Sequence, residues 1–246
     1  MQAKYEIGIL GGMGPLATVD LMNRITEYTF SDNDQGHIPT ITLSNTLIPD
    51  RTDHICYGGQ SPVPYLNKSL SELDMIGVNR IVIPCNTSHY YMKELKRNTK
   101  TRIINMVEET TKYLKKTITD DKVVILGTEG LIKGNVYQDF LMNYEINNYN
   151  LEVRDQEMIM KIIRKIKAEG ISRRVEESVV NVLMELDPTQ SMYYVLACTE
   201  LSLLKDFLIE KGWNIIDAMD MLAISAIKES DYKLNLEKVH KYYIDL

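Results

Sequence analysis

Two stretches of the chain run an apolar segment into a cysteine and then into polar residues. They are Ile81-Val82-Ile83-Pro84-Cys85-Asn86-Thr87 and Tyr194-Val195-Leu196-Ala197-Cys198-Thr199-Glu200. Each reads as a buried strand delivering a thiol to its carboxyl end, just ahead of a helical pattern. Thiol chemistry depends on the thiolate, which a helix start or a nearby cation favours. The free N–H groups of a helix's first turn also bind carboxylates. With Asn86-Thr87 and Thr199-Glu200 as first turns, a thiol and an anion cradle stand side by side twice. A lone buried cysteine is most simply packing. A matched pair in this setting points to chemistry instead. Cys56, in His54-Ile55-Cys56-Tyr57-Gly58, lacks the setting and reads as structural or loop-borne.

Other residues are weighed against that pair. Cys85 and His89 have C-x3-H spacing, but no second cluster and no C-x-x-C accompany them, so no metal site is expected. His89, one turn into its helix, reads as a packed or capping residue, and His37, His54 and His240 stand in no motif. The run Gly8-Ile9-Leu10-Gly11-Gly12-Met13-Gly14-Pro15 is G-x-x-G-G-x-G-P, not the G-x-G-x-x-G of a dinucleotide site. It predicts close backbone approach to a small ligand, with Met13 pointing into a cleft. Arg51, in the turn Pro49-Asp50-Arg51-Thr52, carries a planar fork suited to a carboxylate. Lys167 is either a second cation for that ligand or an ordinary charge at a helix end. Thr128 and Gly130 follow the apolar Val123-Val124-Ile125-Leu126 and bring another loop to the same edge.

The elements that must position these residues alternate along the chain. Strands are predicted at Tyr5–Leu10, Thr40–Leu43, Arg80–Ile83, Arg102–Ile104, Lys122–Leu126, Leu151–Arg154, Met192–Ala197 and Trp213–Ile216. Helical periodicity lies between most of them, as at Gln156–Ala168 and Arg173–Leu186, and Pro15 suits the first turn of the helix after the glycines. Such alternation predicts an α/β fold with parallel sheets flanked by helices. Because the strand–cysteine–helix pattern recurs, two similar units are expected. The first comprises residues 1–98 with 211–246 and carries Cys85; the second comprises 99–210 and carries Cys198. Ligands of open α/β sheets bind at the carboxyl edge of the strands.

At 246 residues, with 44% hydrophobic and 25% charged residues, the chain has the composition of an ordinary globular protein. A net charge of −6 and a pI near 5.4 argue against nucleic-acid or anionic-membrane partners. The first residues resemble neither a signal peptide nor a membrane span. Three cysteines make no disulfide framework, and a reduced cytoplasmic setting is expected.

With these residues collected, the chain resembles the PLP-independent aspartate/glutamate racemase family, and within it the aspartate racemases. The likeness spans essentially the whole chain. Its anchors are Gly11-Gly12-Met13-Gly14-Pro15-Leu16-Ala17-Thr18, Pro49-Asp50-Arg51-Thr52, Pro84-Cys85-Asn86-Thr87, Glu108-Glu109-Thr110, Val136-Tyr137, Cys198-Thr199-Glu200 and Asp217-Ala218-Met219-Asp220. The resemblance implies two α/β domains related by a pseudo-twofold axis, an active site between them, a homodimer, and racemisation without a cofactor. It implies Cys85 and Cys198 as catalytic residues. It also implies Met13, Arg51, Asn86, Thr87, Ser88, Thr128, Lys167, Thr199 and Glu200 as substrate-binding positions for a small dicarboxylic amino acid.

The chain departs from the family pattern at Ser88, Ala197, Leu131, Gly134 and Ala218. Hydroxyls usual near Leu131 and Gly134 are missing, which bears on how the distal end of the substrate is held. The implied reaction uses one cysteine as thiolate to take the α-proton and the other as thiol to protonate the opposite face. Rival readings are a glutamate or broad-range racemase, a related isomerase or decarboxylase, and a non-catalytic amino-acid-binding protein.

Overall fold

The computed structural model describes residues 5–118 and 121–243. The first sheet contains β1 (Tyr5–Gly11), β2 (Thr40–Ser44), β3 (Val78–Val82) and β4 (Arg102–Ile104), in the order β2-β1-β3-β4. The second contains β5 (Val123–Leu126), β6 (Asn148–Tyr149), β7 (Tyr193–Leu196) and β8 (Asn214–Asp217), in the order β6-β5-β7-β8. Every pairing within them is parallel. The two orders are the same, so β1 corresponds to β5 and β3 to β7. Each of these central strands gives its carboxyl end to the place where the connections diverge, the usual ligand position of such sheets.

The helices are α1 (Pro15–Tyr28), α2 (Arg51–Tyr57), α3 (Val63–Ile76), α4 (Met92–Asn98), α5 (Met106–Thr117), α6 (Glu129–Lys133), α7 (Gln138–Asn143), α8 (Val153–Glu169), α9 (Arg173–Leu186), α10 (Lys205–Glu210), α11 (Ala218–Glu229) and α12 (Leu236–Val239). They cover both faces of both sheets, which is why the central strands are apolar on successive residues. The two-residue period of a strand divides those residues between two cores. Leu10, Ile81 and Ile83 face α3 and α4. Val124, Leu126, Tyr194 and Leu196 face α8 and α9. Ile7, Ile9 and Val82 turn the other way and join Val123, Ile125 and Val195 in one cluster with residues of α5 and α11. The two sheets thus share a central core.

A buried ionic network lies alongside that core. Arg24 on α1 binds Asp217 at 2.7 Å and also Asp220, while Lys205 reaches Asp220 at 2.9 Å. Hydroxyls of Tyr28 and Tyr243 donate to Asp220, and Ser202 donates to Asp217. Burial works against the charge on Asp220, yet Arg24 and Lys205 together hold its carboxyl below the usual range.

The α/β class and the flanked parallel sheets are as the alternation predicted. Leu151–Arg154 is not a strand. The sixth strand is Asn148–Tyr149, and Glu152 instead stands just ahead of α8 without a capping side-chain bond, and the helix's first residue Val153 is exposed. By sheet membership Arg102–Ile104 belongs with the first unit and Asn214–Asp217 with the second. Each lies on the other side of the expected division at 98/99 and 210/211. Among the described residues no helix is long and apolar enough to cross a membrane.

Candidate active site: two thiols on one cleft

The loop after β1 is built by its glycines. Gly12 has φ +96°, and a Cβ there would lie 2.4 Å from the Asn45 backbone. Only glycine meets both demands. Thr18 of α1 closes the loop: its Oγ1 accepts from Gly12 N at 2.9 Å and donates to Gly14 O at 3.1 Å. Met13 is thereby presented to the cleft. Its carbonyl accepts from Arg51 Nη2 at 3.3 Å, while Arg51 Nη1 donates to Pro49 O at 3.0 Å. The guanidinium is thus buried and anchored on backbone, but its Nε–H has no partner.

Beyond β3 the chain does not enter an α-helix at once. Asn86–Tyr91 form a 3-10 turn that leads into α4. Asn86 Oδ1 accepts from the Tyr137 hydroxyl at 2.7 Å, while its Nδ2 is buried without a partner. Thr87 and Thr128 join hydroxyls at 2.9 Å, linking the loops after β3 and β5. His89 is a packed residue, as expected. Its Nδ1 bonds the Cys85 carbonyl at 3.0 Å and its Nε2 accepts from Met106 N at 3.1 Å. This fixes the neutral tautomer with the proton on Nδ1, and burial pushes the imidazole down to about 4.

On the other side, Thr199 and Glu200 precede a 3-10 turn at Leu201–Leu204. The Cys198 thiol donates to Glu200 Oε2 at 2.9 Å. Burial, and then the Glu200 carboxylate, push this thiol well above its usual value. Glu200 Oε1 lies 3.6 Å from Lys167 Nζ. Burial draws the Lys167 ammonium down, but Glu200, the two cleft thiols and Asp50 together outweigh it and the net direction is up.

These loops meet around one small cleft. Both Cys85 and Cys198 line it, with Met13, Arg51, Asn86, Thr87, Thr128, Lys167, Thr199 and Glu200. A wider vestibule of about 400 Å³ continues outward past Met13, Arg51, Lys167 and Glu200 to Leu16, Ile48 and Leu203.

Ser88 does not line the cavity. It is fully buried behind Met13, and its hydroxyl donates to Met13 Sδ at 3.2 Å. Leu131 is also in the core, and a Cβ on Gly134 would meet the Tyr90 ring at 2.8 Å. Neither residue is at the cleft wall. Asp50, Thr52 and Ala197 line the cavity without having been singled out as binding residues. The first two flank Arg51 in its motif, which was the available signal. Among the described residues no group of three His, Cys, Asp or Glu side chains is placed to hold a metal ion.

Comparison with known proteins agrees with this architecture. The model of the Asp/Glu/hydantoin racemase family matches residues 10–226. An aspartate racemase from Picrophilus torridus superposes with a TM-score of 0.83 at 30% identity, covering 94% of this chain and 97% of that one. The broad specificity amino-acid racemase RacX of Bacillus subtilis is 27% identical over 230 residues, covering 90% of this chain and 96% of the relative. A glutamate racemase from Francisella tularensis, in complex with D-glutamate, has a TM-score of 0.69 at 14% identity and shares the fold; 99% of this chain and 85% of that one are covered. Matched sheets, a cleft at their carboxyl edges and a match across nine-tenths of the chain converge: the protein belongs to the Asp/Glu/hydantoin racemase family.

Proposed function

We propose that the protein interconverts L- and D-aspartate without a cofactor, using Cys85 and Cys198 as a pair of acid–base groups. The observation that carries this reading is that both thiols line one small cavity, each from the end of an equivalent strand. One cysteine, as thiolate, takes the α-proton from one face. The other, as thiol, gives a proton to the opposite face, and the roles exchange with the starting enantiomer. Two buried donors without partners, Arg51 Nε and Asn86 Nδ2, face this requirement for anion binding. Asn86, Thr87 and Thr199 hold the α-carboxylate and stabilise the charge that develops on it. Arg51 and Lys167 take the side-chain carboxylate.

A broad-range racemase is the second reading. It is favoured by Glu200, whose carboxylate partly cancels Lys167 and would repel a second acidic group. Chiral analysis of aspartate, glutamate, alanine and lysine, run in D2O without pyridoxal phosphate, separates the two. Aspartate is expected to racemise fastest and to acquire α-deuterium. Faster turnover of alanine or lysine establishes the broad range instead. Binding of aspartate with no loss of α-hydrogen from any amino acid would reduce the protein to a binding function.

A further inference from the structure

We propose that Ser88 limits the length of substrate the cleft accepts, by pinning the Met13 side chain as a wall beside the distal carboxylate of aspartate. The inference rests on the racemase reading above and deepens it, from a class of reaction to a limit on side-chain length. Ser88 is a positioning residue. It is fully buried, lies outside the cleft and acts through Met13.

Three observations carry it. The Ser88 hydroxyl donates to Met13 Sδ at 3.2 Å, its one hydrogen-bond partner among the described residues. A thioether is a weak acceptor, but a buried hydroxyl that loses its partner forfeits its hydration with no return. The cost of breaking the bond therefore holds the sulfur in place. The backbone end of Met13 is fixed as well, because its carbonyl accepts from Arg51 Nη2 at 3.3 Å. A side chain with three rotatable bonds, ordinarily an adaptable filler, is thus tied at both ends. Lastly, Met13 is 5% exposed and lines both the cleft and the vestibule of about 400 Å³. It is the only apolar residue common to the two, so its side chain stands at their boundary.

Arg51 and Lys167, which take the side-chain carboxylate in the proposed reaction, line both spaces too. The distal end of the substrate therefore lies against Met13. Aspartate stops at this wall, and the extra methylene of glutamate drives its carboxylate into it. Ser88→Ala removes the donor and leaves room behind the thioether. Met13 can then withdraw into that room or swing into the vestibule, and either movement lengthens the cleft.

The test compares kcat/KM for aspartate and glutamate in the unsubstituted full chain and in Ser88→Ala. The unsubstituted protein is expected to prefer aspartate by roughly tenfold or more, the scale of one methylene in a fitted pocket. Ser88→Ala should lose most of that preference, chiefly through a lower KM for glutamate. A general loosening of the fold would weaken both substrates alike and leave the ratio where it was. In Met13→Leu, which has no sulfur to accept the bond, adding Ser88→Ala should change the ratio no further. NMR of isotope-labelled methionine methyl groups reads the pin directly, the Met13 signal being assigned with Met13→Leu. In Ser88→Ala that signal should sharpen and move towards the position of a freely rotating methionine. Equal use of glutamate and aspartate by the unsubstituted protein overturns the proposal. So does an unchanged ratio in folded Ser88→Ala, or an equal change in the Met13→Leu background. If no amino acid is turned over, the racemase reading fails by itself, and the ratio of the two binding constants from calorimetry decides the pin in the same way. Binding of neither acid overturns both.

Discussion

In the proposed two-thiol reaction, serine in place of either cleft cysteine puts a far weaker acid on one face of the substrate. A complete racemisation needs a base and an opposing acid, so Cys85→Ser and Cys198→Ser are each expected to lose it in both directions. The remaining cysteine can still remove and return a proton on its own face. Incubation of the variants with L- and D-aspartate in D2O should therefore give slow α-deuteration of opposite enantiomers, with configuration retained. Deuteration of the same enantiomer by both variants would sink the two-face assignment. Arg51 and Lys167 are expected to differ in weight. Arg51 is buried with an unpartnered Nε–H, whereas Lys167 is half exposed and already beside Glu200. Losing a charge-assisted hydrogen bond costs about 1.5–3 kcal/mol, so Arg51→Ala should raise the KM for aspartate roughly ten- to a hundredfold. Lys167→Ala should raise it less, and steady-state kinetics ranks the two. The thiols were legible in the sequence because the pattern occurs twice. The burial of Ser88 was not, because the three residues before it, Cys85, Asn86 and Thr87, all line the cavity and nothing local distinguishes a residue turned behind Met13.

Short helices join the halves where single atoms decide the fit. A Cβ on Gly130 of α6 would lie 2.7 Å from the Cα of Thr52 in α2, backbone against backbone. The same crossing is tied by the Tyr57 hydroxyl, which donates to Glu129 at 2.6 Å. Alanine for glycine in an open helix ordinarily stabilises by about 0.5–1 kcal/mol. Here the sign should reverse, because overpacking costs about 1–3 kcal/mol. Gly130→Ala should lower the thermal midpoint and weaken turnover, since Thr52 and Thr128 on either side line the cavity. A raised midpoint would show that the two helices part without cost. The central strands could be read from the sequence because both their faces are covered, leaving continuous apolar runs between turns. The start of α8 could not. Leu151-Glu152-Val153-Arg154 alternates apolar and polar as a half-buried strand does, and only the helix stripe Ile159, Ile162, Ile163 and Ile166 shows which period wins.

At the scale of the whole molecule the two sheets fold onto one central core, so the stability of the cleft and of the chain are the same quantity. That core was not visible in the sequence. Each strand's periodicity tells which residues share a face, but not that the inner faces of both sheets meet across α5 and α11. His89 connects the cleft to it, bonding the Cys85 carbonyl on one side and the first amide of α5 on the other. Its folded value of about 4 lies well below the roughly 6.5 of an unfolded histidine. Between these values the unfolded chain binds a proton that the folded one excludes. The contribution of neutral His89 is therefore complete above about pH 6.5 and is lost as the pH falls towards 4. The gap corresponds to about 3 kcal/mol. His89→Gln keeps a donor and an acceptor but does not titrate. From about pH 7 to pH 5 the urea midpoint of the unsubstituted protein should fall more steeply than that of the variant, because only the former must exclude a proton. Parallel curves would mean that His89 is protonated in the folded protein, with the Met106 amide free and the loop bearing Cys85 released from α5.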